Sequence, residues 1–270
     1  MKAAPEMPAK EKLRAVLFDL DETLIPETRP LAEAYAAVAT AVWGDDASAE
    51  QAQALRLASR AFWERHSPHQ GYTRRVHAGP SDGLSSDFSG PGLELSDLRK
   101  FLPAFRAHSF DAALPADYVG ASDQLREVWF EARMRNLDAY PGAYDLLSLL
   151  RGTYKLALVT NGTSDFQRQK IVHADLDGRF DATIVSGDLG SGKPHPEPFL
   201  AALQALDASV AEAVMVGNDQ ARDIAGARAL GIRTIWVQPG DPSQADAVTD
   251  LSRIPELLEP LGPTSKPDPG

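Results

Sequence analysis

The chain has 270 residues, 43% of them hydrophobic and 24% charged, with a formal net charge of -11 and no cysteine. That length supports two domains, or one domain carrying a large insertion, and the composition supports a buried core. The lack of cysteine excludes disulfides, zinc thiolate sites and cysteine nucleophiles, and the negative field opposes nucleic acid, so an anionic small substrate must be captured by local donors.

Residues 1–10 and 261–270 lack periodicity, are rich in structure breakers and read as frayed tails. No apolar signal-peptide core follows Met1, and the longest apolar runs fall far short of the roughly 20 residues that cross a bilayer, so a cytoplasmic location is expected. The first apolar run, Arg14–Phe18, reads as a buried strand. From about residue 30 the chain changes character. Leu31–Val38 continues helically past Trp43, Gln51 to Glu64 is rich in Ala, Leu, Glu and Arg, and both read as helices. Ser67 to Gly92 is rich in Gly, Pro, Ser and His and reads as a long irregular loop. Helical patterning returns at Leu98–Phe105 and Ser122–Met134.

Four more short apolar runs follow, at Lys155–Thr160, Ala182–Ser186, Ala213–Val216 and Thr234–Val237. Without strict alternation they suit a sheet covered on both faces. Helical spacing separates them at Gln167–His173, Pro198–Leu206 and Arg222–Leu230, the last followed by Gly231, a favoured helix terminator. Alternating strands and helices predict an α/β fold with a Rossmann-like parallel sheet, with ligands beyond the carboxyl ends of the strands. The simplest architecture is a sheet domain of residues 11–29 and 139–260, interrupted at 30–138 by a helical insertion.

Four strand ends carry polar chemistry. After Phe18 come Asp19 and Asp21, two residues apart and directed alike. Paired carboxylates repel unless a partner or a hard cation such as Mg²⁺ resolves them; the alternative is two loop acids capping the next helix. Thr160-Asn161-Gly162 offers donors for an anion, or else an ordinary turn with Ser164 or Asp165 as helix cap. Lys193 lies between Gly192 and the prolines at 194, 196 and 198; a directed ammonium would offset the carboxylates, whereas a surface lysine would do nothing. Gly217-Asn218-Asp219 and Asp223 bring acids to a fourth edge, or else cap a helix at Asp219 with Asp223 one turn in. A nucleophile, a metal site and anion donors, taken together, suit phosphoryl transfer.

These residues resemble the haloacid dehalogenase-like (HAD) hydrolase superfamily. Asp19-Leu20-Asp21-Glu22-Thr23 is similar to its first motif, Asp-x-Asp-x-Thr, Thr160 to the second, Lys193 with Pro194 and Pro196 to the third, and Gly217 to Asp223 to the acidic fourth. The resemblance implies a Mg²⁺-dependent phosphatase acting on a small phosphorylated metabolite, with no nucleic acid or membrane partner. Asp19 would be the nucleophile forming an aspartyl-phosphate, Asp21 the general acid and then base, and Thr160 and Lys193, with Asn161 and Gly162, the phosphate holders. Mg²⁺ would be held by Asp19, the Asp21 carbonyl and an acid of the fourth motif, with Thr23 supporting the loop and Asp223 orienting Lys193 or the metal shell. Many relatives carry Asp where this chain has Asn218; either its amide oxygen serves, or the carboxylate of Asp219 takes over, which is the reading preferred here. The insertion falls where such enzymes carry a helical cap, and within it His66, His69, Arg74, Arg75 and His77 are either anion binders or a solvated loop. Phe166-Gln167-Arg168-Gln169-Lys170 is similar to nucleotidase and sugar-phosphatase branches. Dehalogenase members lack the second acid, so Asp21 points to phosphate. A phosphomutase of the same fold and a catalytically inactive binding protein are the alternatives, while a receiver module would divide its acids between two strands. The oligomeric state is not legible.

Overall fold

The computed structural model describes residues 12–239 and 248–258. The tails expected at 1–10 and 261–270 lie outside them. Five strands form one parallel sheet: β1 (Ala15–Phe18), β2 (Lys155–Thr160), β3 (Ala182–Val185), β4 (Ala213–Gly217) and β5 (Arg233–Trp236), in the order β3-β2-β1-β4-β5. Each lies within a residue or two of its predicted run, and the fold is the expected α/β, Rossmann-like one. Val237, just past β5, still bonds the Gly217 carbonyl of β4 at 3.0 Å and forms an isolated bridge to Val248.

Strand pleating divides the sheet between two cores. Val16, Phe18, Leu156, Leu158, Val214 and Val216 join one apolar cluster, and Ala15, Leu17, Ala157, Val159, Ala213 and Met215 join the other. With both faces covered, every strand position prefers an apolar residue, which explains why the runs show no alternation.

Between β1 and the rest of the sheet the chain is helical: α1 (Thr28–Trp43), α2 (Ala49–His66), α3 (Gln70–Val76), α4 (Pro80–Ser85), α5 (Leu93–His108) and α6 (Ser122–Arg135). A third apolar cluster, including Tyr35, Trp63, Phe88, Phe105 and Trp129, is confined to this region. The stretch 67–92, expected to be irregular, holds α3 and α4. Both are too short for helical periodicity to show, and local chemistry starts α4: Pro80 opens it and Asp82 Oδ2 accepts the Gly79 N–H at 2.9 Å.

The remaining helices return to the sheet: α7 (Ala143–Arg151), α8 (Ser164–His173), α9 (Ser186–Leu189), α10 (Pro196–Leu206), α11 (Gly226–Ala229) and α12 (Ile254–Leu258). The helix expected at 222–230 is a π-helical turn, Gln220–Ala225, running into α11, and the chain leaves it through Gly231 at φ +84°. Glu22 fastens both crossings between sheet and insertion. Its carboxylate accepts the N–H groups of Glu27 and Thr28, at the start of α1, and the Tyr140 hydroxyl at 2.8 Å on the return.

Candidate active site

β1 is the central strand, and the connection order reverses on either side of it, so its carboxyl end opens onto a crevice. Asp19 is the first residue beyond β1, anchored by its N–H to the carbonyl of Val216 at 2.9 Å. Its side chain is nearly buried and has a donor on each oxygen. Lys193 Nζ reaches Oδ1 at 2.6 Å, and the Thr23 hydroxyl reaches Oδ2 at 3.0 Å. The ammonium of Lys193, itself buried, also meets Asp223 at 2.6 Å. Gly217 makes room for that acid, since a β-carbon there would collide with the Asp223 carboxylate.

Asn161 takes a different part from the one expected. Its side chain clamps Lys193, accepting the lysine N–H at 2.8 Å and donating to the lysine carbonyl at 2.9 Å. Gly192 is required beside the clamp, because a β-carbon would lie 2.7 Å from Asn161 Oδ1 and 2.8 Å from the Arg75 carbonyl. Gly162 spends its N–H on Val76 and Ser186. On this loop the Thr160 hydroxyl, which accepts from the Gln167 amide, keeps a proton to give and lines the site together with Asn161. Neither Ser164 nor Asp165 caps α8. Thr163 stands at its N-cap, and Asp165 instead accepts from the Ser86 hydroxyl and the Asp87 N–H.

The fourth strand end separates Asn218 from Asp219. Asp219 caps the following turn, accepting the N–H groups of Ala221 and Arg222 at 2.9 and 2.8 Å, and pairs with Arg222 at 3.2 Å. Asn218 Oδ1 instead lies 3.4 Å from the Thr23 hydroxyl that touches Asp19. Both Asp219 oxygens thus have protein donors, the Asn218 amide oxygen meets the Thr23 hydroxyl, and both residues line the same cavity.

Asp21 carries an ion pair that the motifs do not announce. Lys170 Nζ donates to both its oxygens, at 2.6 and 2.8 Å, and Gln167 Nε2 to Oδ2 at 3.0 Å. Lys170 also reaches Glu27 at 3.3 Å, and Glu27 pairs with buried Arg133 of α6. The sequence signal was a lysine and a glutamine three residues apart on the inward face of α8.

Burial, together with Asp223, raises the Asp19 carboxyl to about 6 against the pull of Lys193. Burial likewise raises Asp21 to about 6, with Lys170 opposing and Glu27 adding. Burial works against charge at Glu27 too, but Lys170 and Arg133 prevail and hold it at about 2. Both lysines sit above their usual value: burial opposes their charge, and the facing carboxylates more than restore it.

A cavity of about 160 Å³ collects Asp19, Asp21, Glu22, Glu27, Asp219 and Asp223 against the cations Lys193 and Arg222, with Thr160, Asn161 and Asn218 also on its wall. Thr23 and Gly162 are not among the residues that line it. The excess of carboxylates and the lack of imidazole or thiolate fit a hard, oxygen-seeking divalent cation. Among the described residues no three His, Asp or Glu side chains group closely enough to hold a metal by themselves. Amide and main-chain oxygens would therefore have to share the task. Of the insertion's basic residues, His69 pairs with Asp97 at 2.9 Å, His66 packs on Phe62, Arg75 donates to the Gly190 carbonyl and Arg74 to Gln70. None of these four lines the cavity, whereas the fifth, His77, has its ring hydrogen-bonded to the main chain of Lys193.

The chain is 34% identical to a phosphoserine phosphatase of Thermus thermophilus over 92% of its own length and 97% of that protein's. It is 30% identical to a glyceraldehyde 3-phosphate phosphatase of Pyrococcus abyssi, over 84% and 82%. Among solved structures it is similar to a 2-haloacid dehalogenase from Pseudomonas syringae (TM-score 0.59, 26% identity, 92% of this chain and 99% of that one). It shares the fold of the putative HAD-hydrolase YfnB from Bacillus subtilis, solved bound to magnesium (TM-score 0.61, 20% identity, 92% and 100%). The model of the haloacid dehalogenase-like hydrolases matches residues 13–231, which takes in all four strand ends and the helical insertion, and the chain belongs to that family.

Proposed function

We propose that this protein is a Mg²⁺-dependent phosphatase that hydrolyses a small phosphomonoester through an aspartyl-phosphate on Asp19. The observation that carries the reading is the buried Asp19–Lys193–Asp223 chain at the mouth of the central strand, with the Thr160 hydroxyl beside it. Lys193 keeps Asp19 ionised although burial disfavours charge, so a carboxylate oxygen is available to attack phosphorus. As the ester P–O bond breaks, Lys193 and Thr160 hold the equatorial oxygens. Asp21 gives its proton to the leaving oxygen and then takes one from the water that hydrolyses the acyl phosphate. Asp19, the Asp21 carbonyl and the Asn218 amide oxygen would hold Mg²⁺. When bound, the cation neutralises part of the carboxylate excess and polarises the phosphoryl group.

The relatives named as phosphatases of phosphoserine and of a sugar phosphate support a small metabolite as substrate. A second cavity of about 660 Å³ lies within the helical insertion, with Arg56, Arg60, Arg74 and Glu64 on its wall, and shares no lining residue with the cavity at Asp19. We read residues 30–138 as a cap that selects that substrate. The experiment is hydrolysis of p-nitrophenyl phosphate with Mg²⁺, with EDTA, and by Asp19→Asn. Turnover is expected only in the first case, and activity surviving chelation or the substitution would sink the mechanism.

A further inference from the structure

Helix α8 buries Phe166 and Ile171, and with them Gln167 and Lys170, each about 2% exposed. Burying an ammonium costs several kcal/mol unless it is paired, and an apolar side chain would pack there without that cost. Lys170 therefore answers to something specific. Its nitrogen meets the two oxygens of Asp21, Glu27 at 3.3 Å, and the ring of Phe166 at 5.2 Å. Gln167 adds a third donor to Asp21, and the same amide donates to Thr160. With three hydrogen bonds from two side chains on its two oxygens, the Asp21 carboxylate is fixed in one rotation, and one glutamine links it to the Thr160 hydroxyl. Glu27, paired with Arg133, anchors the far side of the lysine.

We infer that Lys170 and Gln167 are positioning residues for Asp21, holding its carboxyl in line with the leaving group. The inference rests on the proposed reading of Asp21 as the general acid. The step is balanced. As the Asp19–phosphorus bond forms and the ester P–O bond breaks, the Asp21 proton passes to the leaving oxygen, and the Asp21 anion left behind faces the Lys170 ammonium.

Leaving groups separate this role from a structural one. A p-nitrophenolate departs without a proton, whereas an alkoxide needs one, and a placed acid is worth about 10²–10⁴ in rate. The test measures kcat/KM for p-nitrophenyl phosphate, phenyl phosphate and glycerol phosphate, with Mg²⁺, for the full chain and for Asp21→Asn, Lys170→Met and Gln167→Met. Asp21→Asn is expected to lose progressively more along that series. Lys170→Met is expected to follow the same slope, losing a few-fold on the nitrophenyl ester and about 10²-fold on the alkyl ester. Gln167→Met is expected to follow it more weakly, and it decides the matter should Lys170→Met fail to fold. Equal losses on all three esters for the folded Lys170 or Gln167 variants, beside a graded Asp21→Asn, overturn the positioning role and leave Asp21 as the acid. A flat Asp21→Asn profile removes Asp21 as the acid and the positioning role with it.

Discussion

Asn218 and Asp219 are neighbours in different settings, and the proposed function gives them different duties. Asp219 has the more attractive ligand chemistry, yet the turn that begins at Gln220 leaves N–H groups without partners, and its carboxylate satisfies two of them. Asp219→Ala is accordingly expected to cost about 1 kcal/mol of stability through the lost cap, with little change in Mg²⁺ affinity. Asn218→Ala is expected to weaken Mg²⁺ at least tenfold with little change in stability, and Asn218→Asp to strengthen it, since a carboxylate is the better partner for a hard cation. Thermal denaturation and a Mg²⁺ titration of activity read the two effects separately, and a metal defect in Asp219→Ala alone would reverse the assignment. Asp19 was legible because it follows buried β1 directly, whereas Lys193 stands beyond α9 and Asp223 inside the π-helical turn after β4, so those two were legible through their motifs rather than through a strand end. Side-chain direction was not: Asn161 clamping Lys193, and Lys170 reaching Asp21, depend on distances between segments far apart in sequence.

At the scale of elements, α3 and α4 show how the insertion is held against the sheet. The Val76 carbonyl at the end of α3 accepts from Gly162 and Ser186, and the Tyr72 hydroxyl reaches the Gly187 carbonyl at 3.3 Å. Asp82 in α4 does two jobs, accepting Gly79 N–H to start its own helix and the Thr163 hydroxyl and N–H at 2.9 and 3.3 Å. Thr163 begins α8, so this one buried acid joins the insertion to the helix that carries Gln167 and Lys170. Asp82→Ala is expected to lower stability by on the order of 3 kcal/mol, because several buried donors lose their acceptor. Asp82→Asn keeps an oxygen and should recover part of it, as denaturant unfolding would show; equal stability of Ala and Asn variants contradicts the account. The strands were readable as short apolar runs because β1, β2 and β4 are buried on both faces, while the edge strands β3 and β5, half-buried and carrying Thr183, Arg233 and Thr234, gave a weaker signal. The two short helices were not, since six or seven residues give less than two turns of pattern, and their ends depend on Asp82 and on His69 and His77 at positive φ.

Across the whole molecule, the insertion has its own apolar cluster, distinct from those on the two faces of the sheet, and charged groups bridge the seam. Glu22 ties the crossings, and the chain Asp21–Lys170–Glu27–Arg133 runs from the strand end to α6. Stability should therefore respond to both protons and metal. Asp19 and Asp21 titrate at about 6 in the folded chain, above their ordinary 3.8. Their contribution is fully present below about pH 4 and is lost as pH rises through about 6. Glu27, at about 2 against an ordinary 4.5, acts in the opposite sense, but its contribution is lost only as pH falls through about 2, so it stays level in the neutral range. Near pH 7 the two aspartates thus leave the metal-free protein with an electrostatic penalty that the proposed divalent cation would relieve. Mg²⁺ at about 100 times its Kd adds about 2.7 kcal/mol by mass action, and at a fixed concentration it adds less when protons compete for Asp19. The Mg²⁺-induced rise in Tm is expected to shrink between about pH 7.5 and pH 5.5 and to vanish in Asp19→Asn. A rise that is the same at both values would place the cation away from the two aspartates, because a site that binds no proton in this range cannot feel the competition.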